Sequence, residues 1–333
     1  MRALRRPRPQ AAPPPGCAED SVVLTFEVMR DLAGVRLDRF IQGRIPRLSR
    51  TRAQKIIRTC AYRSDGSRRR PSEIVKPGEI VLLVRERFEE PDVPLSFEVL
   101  LDDGAVLAVD KPPGLPMHPT ATYHKHTLSH LLRKQYAAEG GYAPQIAHRL
   151  DRETSGVVLC GKTRTAERSL KMAFEAHRVT KTYLAIVRGE IEQDAIQIDL
   201  PMSPVSEGLH VLMRLRPEGG LPAQTELRVR ARRAGHSLVE LFPRTGRQHQ
   251  LRLHLSAIGH PIVGDKLYGP EQEAPFLEYI DTGMTPELRC RLGHDRQALH
   301  AHAVTFAHPV SGEQTTVTSP LASDLERLWA ALP

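Results

Sequence analysis

An aspartate flanked by two arginines stands out in residues 146–152, IAHRLDR. The run that follows, with Val157, Val158, Leu159 and Cys160, reads as a buried strand, so Asp151 falls in the turn leading into it. A carboxylate beside a core strand needs a partner. Arg149 and Arg152 are the nearest cations in sequence, and an adjacent cation keeps a partly buried carboxylate ionised and able to act as a nucleophile. From spacing alone, a structural ion pair fits these residues at least as well as a catalytic acid.

Two further places carry chemical potential. In VTKTYLAIVRGE, alternation places Lys181, Tyr183, Ala185 and Val187 on one face of a strand, where a tyrosine is ordinarily a core residue with its hydroxyl satisfied. In Thr245-Gly246-Arg247-Gln248, a threonine followed three residues later by glutamine has the form of a capping box, and Leu251, Leu255 and Ile258 continue a helix that stops at Gly259. Arg247 then lies in the first turn, where the helix dipole disfavours a cation. An acidic side chain or a phosphate opposite it would remove the conflict; an exposed arginine tolerating a small penalty is the plainer alternative.

The remaining histidines do not make a metal site on spacing. His249 and His254 are about 140° apart around a helix, and His300 with His302 supply only two ligands on one strand face. Ser155 sits in Thr-Ser-Gly, outside the G-x-S-x-G elbow of a serine hydrolase. Cys17, Cys60, Cys160 and Cys290 form no C-x-x-C pair, which argues for reduced thiols and against a disulfide framework.

The elements that would carry these residues follow from pattern. Residues 98–111 read as a strand ending at Asp110-Lys111, closed by the stiff turn Pro112-Pro113-Gly114, and a helix carries Leu170, Ala173, Phe174 and His177. Nearer the start, Leu37, Phe40 and Ile41 mark one helix that Pro46 closes. Ser49 caps a second, with Ala53, Ile56 and Ile57 on its apolar face and Arg52, Lys55 and Arg58 on another. Residues 36–70 hold twelve Lys or Arg against two Asp, and residues 1–90 hold twenty Lys or Arg against eleven Asp or Glu; the rest of the chain is nearly balanced. That concentration points to phosphate contact by one end of the molecule. Residues 1–20, rich in Pro, Arg and Ala, are expected to form a mobile basic tail, since they have too little apolar surface to offset their ordering. Their prolines would break the amphipathic helix of a mitochondrial targeting peptide. With 40% hydrophobic and 26% charged residues and no long apolar stretch, the chain is expected to be a cytoplasmic globular protein of two domains, with no membrane partner.

Residues 35–85, with RLDRFI, PRLSRTRAQKIIRT, SDG and RRRPSEIVKPGEIVLL, resemble the RNA-binding domain of ribosomal protein S-four, the alpha-L motif. Cys60 and Ser64-Asp65-Gly66 stand where that family usually has a glycine and a Val-Asn-Gly turn. RNA contacts are expected from Arg36, Arg39, Arg50, Arg52, Lys55, Arg58, Arg68, Arg69 and Arg70. Across residues 100–310, the blocks VDKPPGLPMHP, HRLDRETSG, TKTYLAIVRG, RTGRQHQLRLHLSAIGHPIVGDKLYG and LHAHAVTFAHP resemble, in order, the RluA-type pseudouridine synthases of the RsuA/RluA superfamily.

The resemblance implies an α+β fold. A mixed, largely antiparallel catalytic domain would span residues 98–333, joined by a linker at 87–97 to an alpha-L domain at 21–86. It also implies a catalytic aspartate at Asp151, an active-site tyrosine at Tyr183, an aspartate-pairing arginine at Arg247, and Arg149 against the displaced RNA. The chemistry needs no cofactor and no metal. The expected substrate is structured RNA, large-subunit ribosomal RNA first and transfer RNA as the alternative, handled by a monomer. A metal-dependent hydrolase is the rival from another class.

Overall fold

The computed structural model describes residues 8–9, 12–18, 21–45, 48–85, 90–120, 122–137, 142–205, 209 and 211–333. The chain divides after Pro91 into two units. In the first, the strands Arg8–Pro9, Val22–Glu27, Ile80–Arg85 and Ala61–Tyr62 lie side by side in that order. Phe26, Val81 and Leu83 of this sheet bury against Leu37, Phe40 and Ile41 of the helix Leu37–Arg44, and against Ala53 and Ile57 of the helix Arg50–Cys60. Ser49 caps the second helix by accepting from the Arg52 N–H. Arg8 and Pro9 pair with Thr25 and Leu24, so part of the expected mobile tail is a strand. A sheet edge offers unpaired backbone groups to a chain that runs back along it. Residues 12–18 also hold a turn, in which the Cys17 N–H donates to the Pro14 carbonyl, while residues 1–7, 10–11 and 19–20 lie outside the described residues.

The second unit is α+β, built on a ten-stranded, largely antiparallel sheet. Its main order is Ala195–Asp199, Gln224–Arg233, His236–Pro243, Thr180–Arg188, Leu299–Ala307, Ser155–Gly161, Val106–Lys111 and Glu98–Asp102. The expected single strand over 98–111 is therefore a hairpin. Asp103 accepts from the N–H groups of Ala105 and Val106, a local bond that turns the chain. Ser155–Gly161 is buried at every position, which is why it reads as an unbroken apolar run. It pairs in parallel with Leu299–Ala307, the one parallel pairing among the described strands.

Register aligns four segments that are far apart in sequence. Lys111 pairs with Gly156, Gly156 with Ala301, and Ala301 with Tyr183. Gly156 is what lets the strands approach. Its φ is +110°, and a Cβ there would lie 2.2 Å from the Ala301 carbonyl oxygen. Gly156→Ala is expected to destabilise the second unit by about 3 kcal/mol or more, since both backbone conformation and space forbid the methyl group. A urea melt checks this, and a loss below about 1 kcal/mol would show that the strands can part cheaply.

Candidate active site

Asp151 lies in the turn before Ser155–Gly161, at the floor of a cleft of about 540 Å³ whose wall includes Arg149, Lys181, Tyr183, Arg247 and His249. The turn is held from below. Lys111, fully buried, donates from Nζ to the carbonyls of Pro112, Leu115 and Arg152, at 2.8, 3.0 and 3.0 Å. The Pro-Pro-Gly loop is thereby tied to the residue after Asp151, and the Gly114 N–H adds a bond to the same Arg152 carbonyl.

The Asp151 side chain is 21% exposed and that of Arg252 is 7% exposed, and Arg252 Nη1 donates to Asp151 Oδ2 at 3.1 Å. Gln297 Nε2 reaches the same oxygen at 3.4 Å, and His249 Nε2 lies 3.9 Å from it. Among the described residues, no hydrogen bond uses Oδ1. Arg252 is itself fixed from behind. Its Nε and Nη2 donate to the two oxygens of the fully buried Asp265, at 2.6 and 2.8 Å, and Asp265 also accepts from the N–H groups of Leu267 and Tyr268. One guanidinium thus bridges a structural carboxylate and a cleft carboxylate, an arrangement that suits its planar fork of donors.

Burial pulls the Asp151 carboxyl upward, but His249, Arg252 and the hydrogen bonds from Arg252 and Gln297 outweigh it, so the group sits below its ordinary value. His249 is pushed down to about 4, by burial first and the Arg252 charge second, so it is neutral near pH 7. The standing charge that keeps Asp151 ionised is therefore that of Arg252. Burial, and then the Asp151 charge, raise the Tyr183 phenol, which stays protonated. Burial lowers Lys181 to about 8, and its Nζ donates to the Thr245 carbonyl at 3.1 Å.

Several expectations need correction. The helix starts at Gln250, with His249 as its N-cap at φ 55°, and not at Gly246. Thr245 bonds to the Gln250 side chain, which also accepts from the Arg247 N–H, while Gln248 turns to the Val211 carbonyl. Arg247 does not pair with Asp151: its Nε donates to the Pro222 carbonyl at 3.1 Å. Arg252, in the first turn of the displaced helix, takes that place. Arg152 turns instead to Tyr123 and Glu153, and Arg149 is exposed at the cleft.

In the first unit, Arg69 is buried between Glu73 and Glu79, so it braces the fold and, against expectation, is not at the surface. Arg36 and Arg50 both bond the buried Asp38 yet keep side-chain exposures of 39% and 49%. Arg68 lies over the Tyr62 ring, and Arg39, Arg52, Lys55, Arg58 and Arg70 are exposed.

Among the described residues, no three His, Cys, Asp or Glu side chains come together as a metal site. His254 is held by Thr225 and the Leu200 carbonyl, and His300 by Ser155 and the Ser319 carbonyl. Arg252, Asp265, Gln297 and His249 were missed from sequence. Arg252 had a detectable signal: a cation between Leu251 and Leu253 must be paired if that stretch of the helix is buried.

A family model for RNA pseudouridylate synthase matches residues 105–257. The chain is 35% identical over 319 residues to the ribosomal large subunit pseudouridine synthase D of Xanthomonas campestris pv. campestris, spanning 94% of this chain and 93% of that one. It is 33% identical over 325 residues to the protein of the same name from Zymomonas mobilis subsp. mobilis, spanning 94% and 97%. Among solved structures, human RNA Pseudouridylate Synthase Domain Containing 1 matches with a TM-score of 0.54 at 27% identity, over 73% of this chain and 97% of that one.

Proposed function

The chain belongs to the RNA pseudouridylate synthase family, and from that we propose that it isomerises uridines of large-subunit ribosomal RNA with Asp151 as the catalytic carboxylate. The observation that carries the assignment is the asymmetry of Asp151: Oδ2 is held by Arg252, while Oδ1 is left unbonded in a cleft of the size ligands occupy. The C1′–N1 bond of uridine breaks, the uracil turns, and C5 joins C1′. Asp151 serves either by covalent attack or by abstracting a sugar proton. Arg252 keeps it ionised and aimed. Tyr183, held as a phenol by burial, offers the base a packing surface and a hydroxyl. Arg149 at the cleft contacts the RNA from which the uridine has been extruded.

The name shared by the two bacterial relatives supports a large-subunit target. Action as a monomer in the cytoplasm belongs to the same proposal. Mapping pseudouridines across total RNA from cells with and without the gene tests the target. Loss of a site in large-subunit RNA is expected, whereas loss confined to transfer RNA would overturn it.

The basic face of the first unit is proposed to hold the RNA backbone through Arg36, Arg39, Arg50, Arg52, Lys55, Arg58, Arg68 and Arg70. Changing Arg52, Lys55 and Arg58 together to glutamine is expected to flatten the slope of log affinity against log salt by about 2, since each lost phosphate contact removes roughly 0.7–0.9. Filter binding at several salt concentrations reads this, and an unchanged slope would move the RNA elsewhere.

A further inference from the structure

We infer that His249 is a second catalytic group, presenting a neutral Nε2–H donor to the uracil as its bond to the sugar breaks. The inference rests on the pseudouridine synthase reading of the cleft. It begins from backbone geometry. His249 is a non-glycine residue at φ 55°, and such strain persists where the surroundings enforce it. Enforcement comes from Tyr268, whose ring lies edge-on to the imidazole and whose hydroxyl is 2.9 Å from Nδ1.

That hydroxyl also accepts from the Met213 N–H at 2.9 Å. With an N–H already directed at its oxygen, the Tyr268 hydroxyl has its own hydrogen to give, and Nδ1 is the acceptor within reach. The neutral ring then carries its proton on Nε2. This nitrogen forms no hydrogen bond among the described residues, and it lies 3.9 Å from Asp151 Oδ2 in the wall of the cleft. The side chain is 7% exposed, so the donor is dry and fixed before substrate arrives.

The reaction has a use for such a donor. When C1′–N1 breaks, the bond pair passes to N1 and spreads onto the uracil carbonyl oxygens; C5 then bonds to C1′ and releases its proton to solvent, while N1 takes up a proton in its place. A fixed N–H aimed at one carbonyl oxygen stabilises that charge as it develops, without transferring a proton. Arg252 is unavailable for this, being occupied by Asp265 and Asp151.

The test uses the full-length protein and total RNA from cells lacking the gene, labelled with tritium at C5 of uracil. His249→Ala is expected to slow single-turnover tritium release by about 100-fold, the scale for loss of one preorganised donor. RNA affinity and melting temperature should stay near wild type, and His249→Gln, which restores an N–H, should recover at least about tenfold of the lost rate. Release by His249→Ala within threefold of wild type would overturn the inference. So would a fall in melting temperature that accounts for the loss, or a glutamine variant no faster than alanine. No release by the wild-type protein would instead overturn the synthase reading beneath it.

Discussion

Asp151→Asn is expected to lower pseudouridine formation at least about 1,000-fold while leaving RNA affinity and the melting temperature near their wild-type values. The amide keeps the shape of the side chain, and its oxygen can still accept from Arg252 Nη1. What disappears is the anionic oxygen that can add to the substrate or take its proton, and loss of a nucleophile costs orders of magnitude in rate. Folding is spared because Arg252 retains both oxygens of Asp265 whatever stands at position 151. Tritium release from uracil-labelled RNA, run beside a melt of the same preparation, reads both quantities. Residual activity above a few per cent in a variant free of wild-type enzyme would remove Asp151 from the chemistry.

Arg252→Met should do something different, and its contrast with Arg247→Met separates two arginines that sequence alone confuses. Removing the Arg252 guanidinium strands the fully buried Asp265 with only backbone N–H groups to compensate its charge. Breaking such a pair by deleting one partner costs about 3–5 kcal/mol. The second unit is therefore expected to lose stability on that scale and activity with it. Arg247 makes a side-chain bond to one carbonyl, and its replacement should cost at most about 1 kcal/mol. Urea melts of the two variants give the comparison, and a larger loss for Arg247→Met would reverse the assignment.

A cation in the first turn of a helix does need an anion, and Arg252 has two. The helix begins later than the spacing of Thr245 and Gln248 suggests. Thr245 and Gln248 have the spacing of a capping box, but the Thr245 hydroxyl bonds to Gln250, and the chain passes through a left-handed residue at His249 before winding up. A histidine in that conformation has no sequence signature.

The turn that carries Asp151 and the strand face that carries Tyr183 were legible because each lies in an unbroken local pattern, whereas the roles expected of both side chains came from the family resemblance alone. Gln297 and Asp265 were not legible, since their partners are fixed by tertiary contacts that no local period reports. Arg69 shows the same limit: three consecutive arginines look alike in sequence, and only the pairing of Glu73 and Glu79 with the middle one takes it out of the exposed set.

The parallel contact between Ser155–Gly161 and Leu299–Ala307 bears on when this enzyme becomes active. Gln297, which bonds Asp151, follows it by 146 residues, and the strand that sets Tyr183 and Gly156 in one row comes just after. During synthesis the N-terminal unit emerges first and can fold on its own core, with its basic helix on the surface. The hydrogen bonds around Asp151 cannot close until nearly the last strand has left the ribosome. On the proposed roles, a nascent chain presents its basic helix long before the groups around Asp151 come together.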